Sequence, residues 1–117
     1  MKRIEVLNNA PFAEGRQLPL PPEKLIEGEP MLTSWETDNL QEGAIRAGMW
    51  ESTPGTIQVA KGETWEFCTI LSGQAEITEE NGDVIRVKAG DTLVMRPGFV
   101  GAWKTLETMR KYWVIAK

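Results

Sequence analysis

The stretch from Gly62 to Trp103 constrains the fold most, because short segments with strand-like alternation follow one another at near-regular intervals. Turn sequences separate these segments, namely Ser72-Gly73, Asn81-Gly82-Asp83, Ala89-Gly90-Asp91 and Pro97-Gly98. Asparagine followed by glycine is typical of a tight β-hairpin, since both residues tolerate positive φ. Short strands at regular spacing are typical of a barrel or a sandwich of antiparallel strands. The sequence therefore predicts an all-β fold with little helix.

Strands are also predicted on both sides of this stretch. Together they cover residues 3–7, 31–37, 45–51, 56–60, 64–71, 74–79, 84–88, 92–96, 102–106 and 111–116. The strand at 64–71 is mostly apolar on both faces, which is typical of a central strand that is covered on each side. Because such a strand needs cover on both faces, we also expect the chain to form a homodimer.

The segment Asn8–Pro30 is predicted to be an extended arm, because it contains five prolines and two glycines. Proline fixes φ and lacks an N–H donor, so regular elements are unexpected there, apart from one helical turn at Pro22–Ile26. A chain of 117 residues forms one domain. We expect residues 1–44 to provide the arm and the first strands, and residues 45–117 to form the barrel. The arm should lie across the barrel or a neighbouring subunit.

Composition excludes several classes of function. The chain has no histidine, so histidine-based metal sites and histidine acid–base catalysis are excluded. Its single cysteine, Cys68, allows no internal disulfide. A net charge of −4 argues against nucleic-acid binding. There is no apolar run long enough for a membrane helix, and Met1–Leu7 does not resemble a signal peptide, so we expect a cytoplasmic protein.

Two spaced patterns resemble the motifs of the cupin superfamily. The first is Glu66, six residues and then Gly73, and the second is Gly90-Asp91, four residues and then Arg96-Pro97-Gly98. The resemblance implies a jelly-roll β-barrel, also called a double-stranded β-helix. The segments 48–55, 65–73, 98–103 and 110–111 together resemble cupins related to (S)-ureidoglycine aminohydrolase, over about residues 45–116. That closer resemblance implies a nitrogen-rich small molecule as the substrate.

In metal-binding cupins the first motif supplies two histidines and a glutamate, and the second motif supplies a third histidine. Of these four ligands only the glutamate, Glu66, has a counterpart in this sequence. The histidine positions fall at Val59 and Lys61, or at Ala60 and Gly62 with a shorter spacer, and at Gly101. Since a transition metal normally needs three or four protein ligands, we expect no firmly bound metal or other cofactor. If a divalent metal binds at all, Glu66 and Cys68 are its candidate ligands.

Glu66 is the candidate catalytic residue, and two interpretations of it remain open. As a functional group, a carboxylate among apolar walls has a raised pKa and can act as a general acid or base, or bind a ligand amine. As a structural group, it forms an ion pair with Lys111 or Arg46 inside the barrel, because an unpaired buried charge is too unfavourable. Both interpretations place Glu66 in the barrel interior.

The other candidate ligand-binding residues are aromatic, cationic or sulfur-containing. The resemblance places Trp50 and Trp103 at the walls of a pocket. Cys68 lies two residues after Glu66 on the same strand face, as an inert buried thiol or as a ligand contact. Lys111 and Tyr112 either reach the pocket mouth or belong to an end strand, and the sequence does not decide which of them points inward.

Three functions are consistent with these observations. The first is a cupin barrel that binds a small polar molecule, nitrogen-containing or a carboxylate, without the histidine metal ligands. The second is an enzyme that resembles ureidoglycine aminohydrolase and uses Glu66 as an acid, a base or a weak metal ligand. The third is a non-catalytic sensor or interaction module whose arm binds a partner. We expect a small-molecule ligand and a second copy of the chain as partners.

Overall fold

The computed structural model describes residues 3–7 and 14–117, which form nine strands and two short 3-10 turns. The strands are β1 (Arg16–Gln17), β2 (Leu25–Gly28), β3 (Leu32–Leu40), β4 (Ile45–Ser52), β5 (Gly55–Ala60), β6 (Trp65–Glu79), β7 (Val84–Lys88), β8 (Thr92–Met95) and β9 (Val100–Ala116). The 3-10 turns are Pro22–Lys24 and Gln41–Gly43. The predicted all-β fold is confirmed. In the part of the chain that the structure describes, no helix could span a membrane.

Two long antiparallel strands, β6 and β9, organise the fold. The first half of β6 pairs with β8 and its second half pairs with β7, while β9 pairs along its opposite edge with β5 and then with β4. Register shifts between Ile70 and Ala75 bend the β6–β9 pair in the middle. The sheet therefore has two halves, one with the order β1-β3-β4-β9-β6-β8 and the other with the order β2-β5-β9-β6-β7. This arrangement is a jelly roll.

The core lies between the two halves of the sheet. Side chains from both halves form one cluster, which consists of Ile70, Ala75, Ile77, Val87, Met95, Trp103 and Met109. Successive side chains of a strand point to opposite faces, so each strand contributes alternate residues to this cluster. The bend of β6 requires a glycine at Gly73, where φ is +83° and a Cβ would collide with the backbone at Thr108.

Several predicted strands have different limits in the structure. The predicted strands 64–71 and 74–79 are one continuous strand, β6, and those at 102–106 and 111–116 are one strand, β9. The register shifts between Ile70 and Ala75 form a β-bulge, which bends β6 and β9 but does not end the pairing between them. The predicted strand 31–37 extends further, because β3 stays paired with β4 as far as Leu40 after a register shift between Glu36 and Asp38.

The N-terminal predictions were partly wrong. Residues 3–7 are not a strand, because no neighbouring strand pairs with them among the described residues. Within the predicted irregular arm, residues 8–13 lie outside the described residues, whereas β1 and β2 are short strands that pair with the sheet edges β3 and β5. The helical turn expected at Pro22–Ile26 is present as the 3-10 turn Pro22–Lys24.

The central position predicted for the strand at 64–71 is confirmed, but cover on both of its faces is not observed. β6 has strand neighbours along both edges. On its outer face Phe67 is 41% exposed, and Val114, its partner on β9, is 36% exposed. The inner face is buried, with Glu66 and Cys68 nearly inaccessible to solvent.

Replacing Met109 by alanine should destabilise the fold by about 2–5 kcal/mol, because Met109 is fully buried and its sulfur accepts a hydrogen bond from the Trp103 indole. The free energy of unfolding can be measured by urea denaturation. Met31→Ala is the matched control, since Met31 is 53% exposed. A loss for Met109→Ala no larger than that of the control would contradict the assigned core.

Candidate functional site

Glu66 lies at the centre of a buried cluster of charges on the inner face of β6. Its Oε1 atom accepts a hydrogen bond from Lys61 Nζ at 2.7 Å, and its Oε2 atom accepts one from Lys111 Nζ at 2.7 Å. The exposed fractions of the three side chains are only 6% for Glu66, 12% for Lys61 and 9% for Lys111. We call these residues the Lys–Glu–Lys triad. The expected pairing of Glu66 with Lys111 is therefore present.

Three segments of the chain bring the triad together. Lys61 follows the end of β5 and precedes the turn into β6, five residues before Glu66. Lys111 lies on β9, where it is opposite Ile70 of β6 and Trp50 of β4. Since Glu66 and Ile70 share one face of β6, the register of β6 and β9 turns Lys111 toward Glu66.

The pKa of Glu66 is lower than expected from the sequence. Burial by itself would raise this pKa, but the charges of Lys111 and Lys61, together with their hydrogen bonds, hold it below the usual value of 4.5. Of the two interpretations left open by the sequence, the one with a raised pKa is therefore wrong, because it considered only the apolar walls, whereas the ion pair with Lys111 is present and Lys61 adds a second cation. Glu66 is an ionised acceptor at neutral pH, and the triad carries a net charge of +1.

Lys111 is held from two further sides by aromatic rings. Its Nζ atom lies 4.6 Å from the ring centroid of Trp50 and 4.5 Å from that of Trp103. The two rings meet edge to face, with centroids 5.8 Å apart and planes at 81°. Ammonium groups are attracted to ring faces at these distances. One carboxylate and two indoles therefore fix the position of this ammonium group.

A cavity of about 350 Å³ opens in front of the triad. Its floor includes Glu66 and Lys111, one wall is the ring of Trp50, and Arg16 and Arg46 lie at its edge. Arg46 also forms an ion pair with Glu36, with 3.8 Å between the charged atoms. A larger cavity of about 640 Å³ lies between β7 and β8, away from the triad. The smaller cavity is the candidate site, because buried charged groups line it.

Of the candidate site residues named from the sequence, some line this cavity and others lie outside it. Trp50, Glu66 and Lys111 line the cavity together. Trp103 lies behind it, 1% exposed, and donates a hydrogen bond from Nε1 to the sulfur of Met109 at 3.3 Å. Tyr112 points to the opposite face of β9 from Lys111, and its hydroxyl group lies 2.8 Å from Thr37 Oγ1.

Cys68 is buried beside the triad and is fully inaccessible to solvent. Burial raises the pKa of its thiol to about 11, with a smaller contribution from the neighbouring Glu66 carboxylate. The thiolate is the nucleophilic and metal-binding form of cysteine, so this thiol is poorly suited to either role near neutral pH.

Sequence reasoning did not assign two cationic residues to the site. Lys61 occupies one of the positions counted for a metal-binding histidine, and this coincidence was the signal that could have identified it. Arg16 lies in the proline-rich arm, and only the pairing of β1 with β3 brings it to the cavity. The sequence around Arg16 contains no local signal for this placement.

The residues around Glu66 do not fit a metal ion. Both carboxylate oxygens accept hydrogen bonds from lysines, and two ammonium groups would repel a cation. The raised pKa of Cys68 removes the only nearby sulfur ligand expected from the sequence. Over residues 3–7 and 14–117, no group of three or more His, Cys, Asp or Glu side chains is placed to hold a metal.

Comparisons with known proteins find a cupin family model and structures of similar fold. A family model described as the EutQ-like cupin domain matches residues 40–113. A structure of a protein described as ethanolamine utilisation protein EutQ from Salmonella typhimurium LT2 aligns with a TM-score of 0.64 and 20% identity, over 73% of this chain and 68% of that chain. No curated protein matches the sequence.

Two further structures are similar over different shares of the chain. A Pseudomonas syringae pv. tomato protein of unknown function aligns with a TM-score of 0.78 and 24% identity, over 90% of this chain and 45% of that chain. This chain therefore spans less than half of the Pseudomonas protein. A DUF861 family protein from Thermotoga maritima aligns with a TM-score of 0.53 and 32% identity, over 56% of this chain and 73% of that chain.

Replacing Glu66 by glutamine should destabilise the protein by about 3 kcal/mol at pH 7, because two buried lysines then lose their counter-ion. Since the pKa of Glu66 is lowered in the folded state, its contribution is complete above 4.5 and is lost as the pH falls through the folded-state pKa. Urea denaturation of both proteins between pH 3 and pH 7 measures the difference, which should shrink toward acid pH.

Glu76→Gln is the matched control, because Glu76 lies on the same strand and forms an exposed ion pair with Arg86. That substitution should change stability little. The triple variant Lys61→Met/Glu66→Leu/Lys111→Met should regain much of the stability that Glu66→Gln loses, since apolar groups replace a buried ion cluster. A Glu66→Gln protein as stable as the control would contradict a buried triad.

Proposed function

Because the chain belongs to the family of EutQ-like cupin domains, we propose that its barrel binds a small organic carboxylate without a firmly bound metal. The observation that carries this proposal is the excess of positive charge around the cavity. The triad contributes +1, and the pair of arginines Arg16 and Arg46 outweighs Glu36 by one charge. A concave site with one sign of charge raises the local concentration of ligands with the opposite sign.

The occupied oxygens of Glu66 favour a carboxylate over an amine as the ligand. Lys61 and Lys111 each donate to one oxygen of Glu66, so a ligand amine would compete with two buried ammonium groups for this carboxylate. The same amine would also meet a net positive field. A nitrogen-containing ligand thus remains compatible with the cavity only if it also carries a negative charge.

The walls of the cavity provide complementary contacts for such a ligand. Guanidinium groups can bind a carboxylate through two parallel hydrogen bonds, and Arg16 and Arg46 are placed at the cavity edge. The Trp50 ring and the side chains of Trp113 and Ile115 offer apolar surface to the rest of the molecule. A volume of about 350 Å³ suits a small metabolite.

Catalysis by Glu66, as the resemblance to ureidoglycine aminohydrolase implies, receives less support. A general acid needs a proton at the working pH, whereas the lowered pKa of Glu66 keeps it ionised. As a general base Glu66 is weakened, because both of its oxygens accept hydrogen bonds from lysines and its pKa is lowered. These contacts favour a structural and electrostatic role for Glu66.

Carboxylates should raise the melting temperature more than neutral molecules of the same shape, because ligands that bind only the folded state stabilise it. The measurement is a thermal-shift assay, followed by isothermal titration calorimetry, with succinate against succinamide and benzoate against benzamide, and with benzylamine as the cationic member. Equal shifts for the amides, a shift for the amine alone, or no binding by any carboxylate would contradict the proposal.

Arg46→Met should weaken the binding of a carboxylate identified in this way about ten-fold or more, since a hydrogen bond to a charged group contributes about 1.5–3 kcal/mol. Arg96→Met is the matched control, because Arg96 lies on the turn after β8, outside this cavity. Unchanged affinity in the Arg46 variant would contradict the assigned carboxylate contact.

Elemental analysis of protein purified without a chelator should find transition metal far below one ion per chain, and a chelator should leave the melting temperature unchanged. This expectation follows from the lysines that occupy both oxygens of Glu66. Stoichiometric metal whose removal lowers the melting temperature would contradict it. Lys61→Met provides a further comparison, since it frees one carboxylate oxygen.

A further inference from the structure

The larger cavity is an open groove between the edge strands β7 and β8, with a volume of about 640 Å³. Its apolar lining comes from both halves of the sheet, through Ile77 and Ile85 on one side and Leu93 and Met95 on the other. In the described part of the chain β7 and β8 each pair only with β6. The jelly roll is therefore open along this side.

Open strand edges next to apolar side chains are places where another strand can add, because unpaired backbone groups offer a template for hydrogen bonding. On β7 the groove is lined by Ile85, which is 52% exposed, whereas its neighbour Val84 points to the opposite face of the strand. The groove thus combines backbone hydrogen-bonding groups with apolar surface, which is what an extended peptide with alternating apolar residues requires.

The chain contains a peptide of this kind in residues 3–7. Ile4 and Val6 are 88% and 94% exposed, and they alternate with the charged residues Arg3 and Glu5. In an extended conformation Ile4 and Val6 would share one face. The segment has five residues, the same length as β7. Its apolar side chains therefore lie in solvent, and the free edge of β7 has the same length as the segment.

We propose that residues 3–7 of one copy add as a strand to the free edge of β7 in a second copy, with Ile4 and Val6 packed into the groove. Within one copy the segment lies outside the groove with both side chains exposed, so the occupant comes from another molecule. Arg3 can pair with the acidic residues Glu79, Glu80 and Asp83 of the groove, and Glu5 can pair with its Arg96. Reciprocal exchange gives two identical contacts and a closed dimer.

Sedimentation velocity of the full chain tests this arrangement. The unchanged protein should sediment as a dimer at micromolar concentration, and the double variant Ile4→Asp/Val6→Asp should sediment as a monomer with an unchanged circular-dichroism spectrum. Glu5→Gln is the matched control, since its side chain lies on the opposite face of the segment from Ile4 and Val6, and it should remain dimeric. A monomeric unchanged protein, or a double variant that stays dimeric, would overturn the proposal.

Cross-linking between differently tagged copies identifies the contact itself. A chain with Val6→Cys, mixed with a chain carrying Ile85→Cys, should yield a heterodimer with a short bis-maleimide, whereas the buried Cys68 should not react. Met31→Cys is the control partner, because Met31 is also exposed but lies outside the groove. Equal cross-linking to both partners would overturn the proposal. Dimer loss in Phe67→Asp, with the Ile4/Val6 double variant still dimeric, would instead assign the interface to the outer sheet face.

Discussion

The ionised carboxylate of Glu66, buried between two lysines, is the interaction on which the candidate site depends. An isolated charge at 4% exposure would be too unfavourable to persist, and one lysine would have been enough to neutralise it. The second lysine leaves a positive charge in excess. The two lysines lower the pKa of Glu66, and their excess charge disfavours a metal cation and makes the floor of the adjoining cavity positive. Three properties of the site therefore follow from a single arrangement of charges.

The triad can be compared with the metal centre that the resemblance to metal-binding cupins would imply. Two ammonium groups around Glu66 carry together the charge of one divalent ion, and Lys61 stands where a histidine ligand would be counted. The barrel floor therefore carries the same added positive charge that a divalent ion would supply. Ammonium groups, however, offer no open coordination position and cannot polarise a substrate as a Lewis acid. Such a substitution favours recognition of an anion over metal-assisted chemistry.

The fold was largely predictable from the sequence, because alternation and turn residues are local signals. The continuity of β6 across residues 71–74 was not predictable, since it depends on a bulge that only the pairing with β9 stabilises. The pairing of Ile70 with Lys111, just before this bulge, decides that Lys111 faces the cavity and Tyr112 faces away. Arg16 reaches the site through pairing between distant segments, for which a local pattern carries no information. Local chemistry therefore identified Glu66, whereas its partners required the register of the strands.

Core packing and charge placement are joined in this barrel through Trp103. Its indole N–H donates to Met109 within the core, and its ring face contacts the Lys111 ammonium group that binds Glu66. Any change in the packing of Met109 would move the ring and, with it, the ammonium group at the cavity floor. The charged groups of this site are held by packed aromatic rings on long strands that also enclose the core. Such preorganisation would reduce the entropy lost on binding the carboxylate that we propose as the ligand.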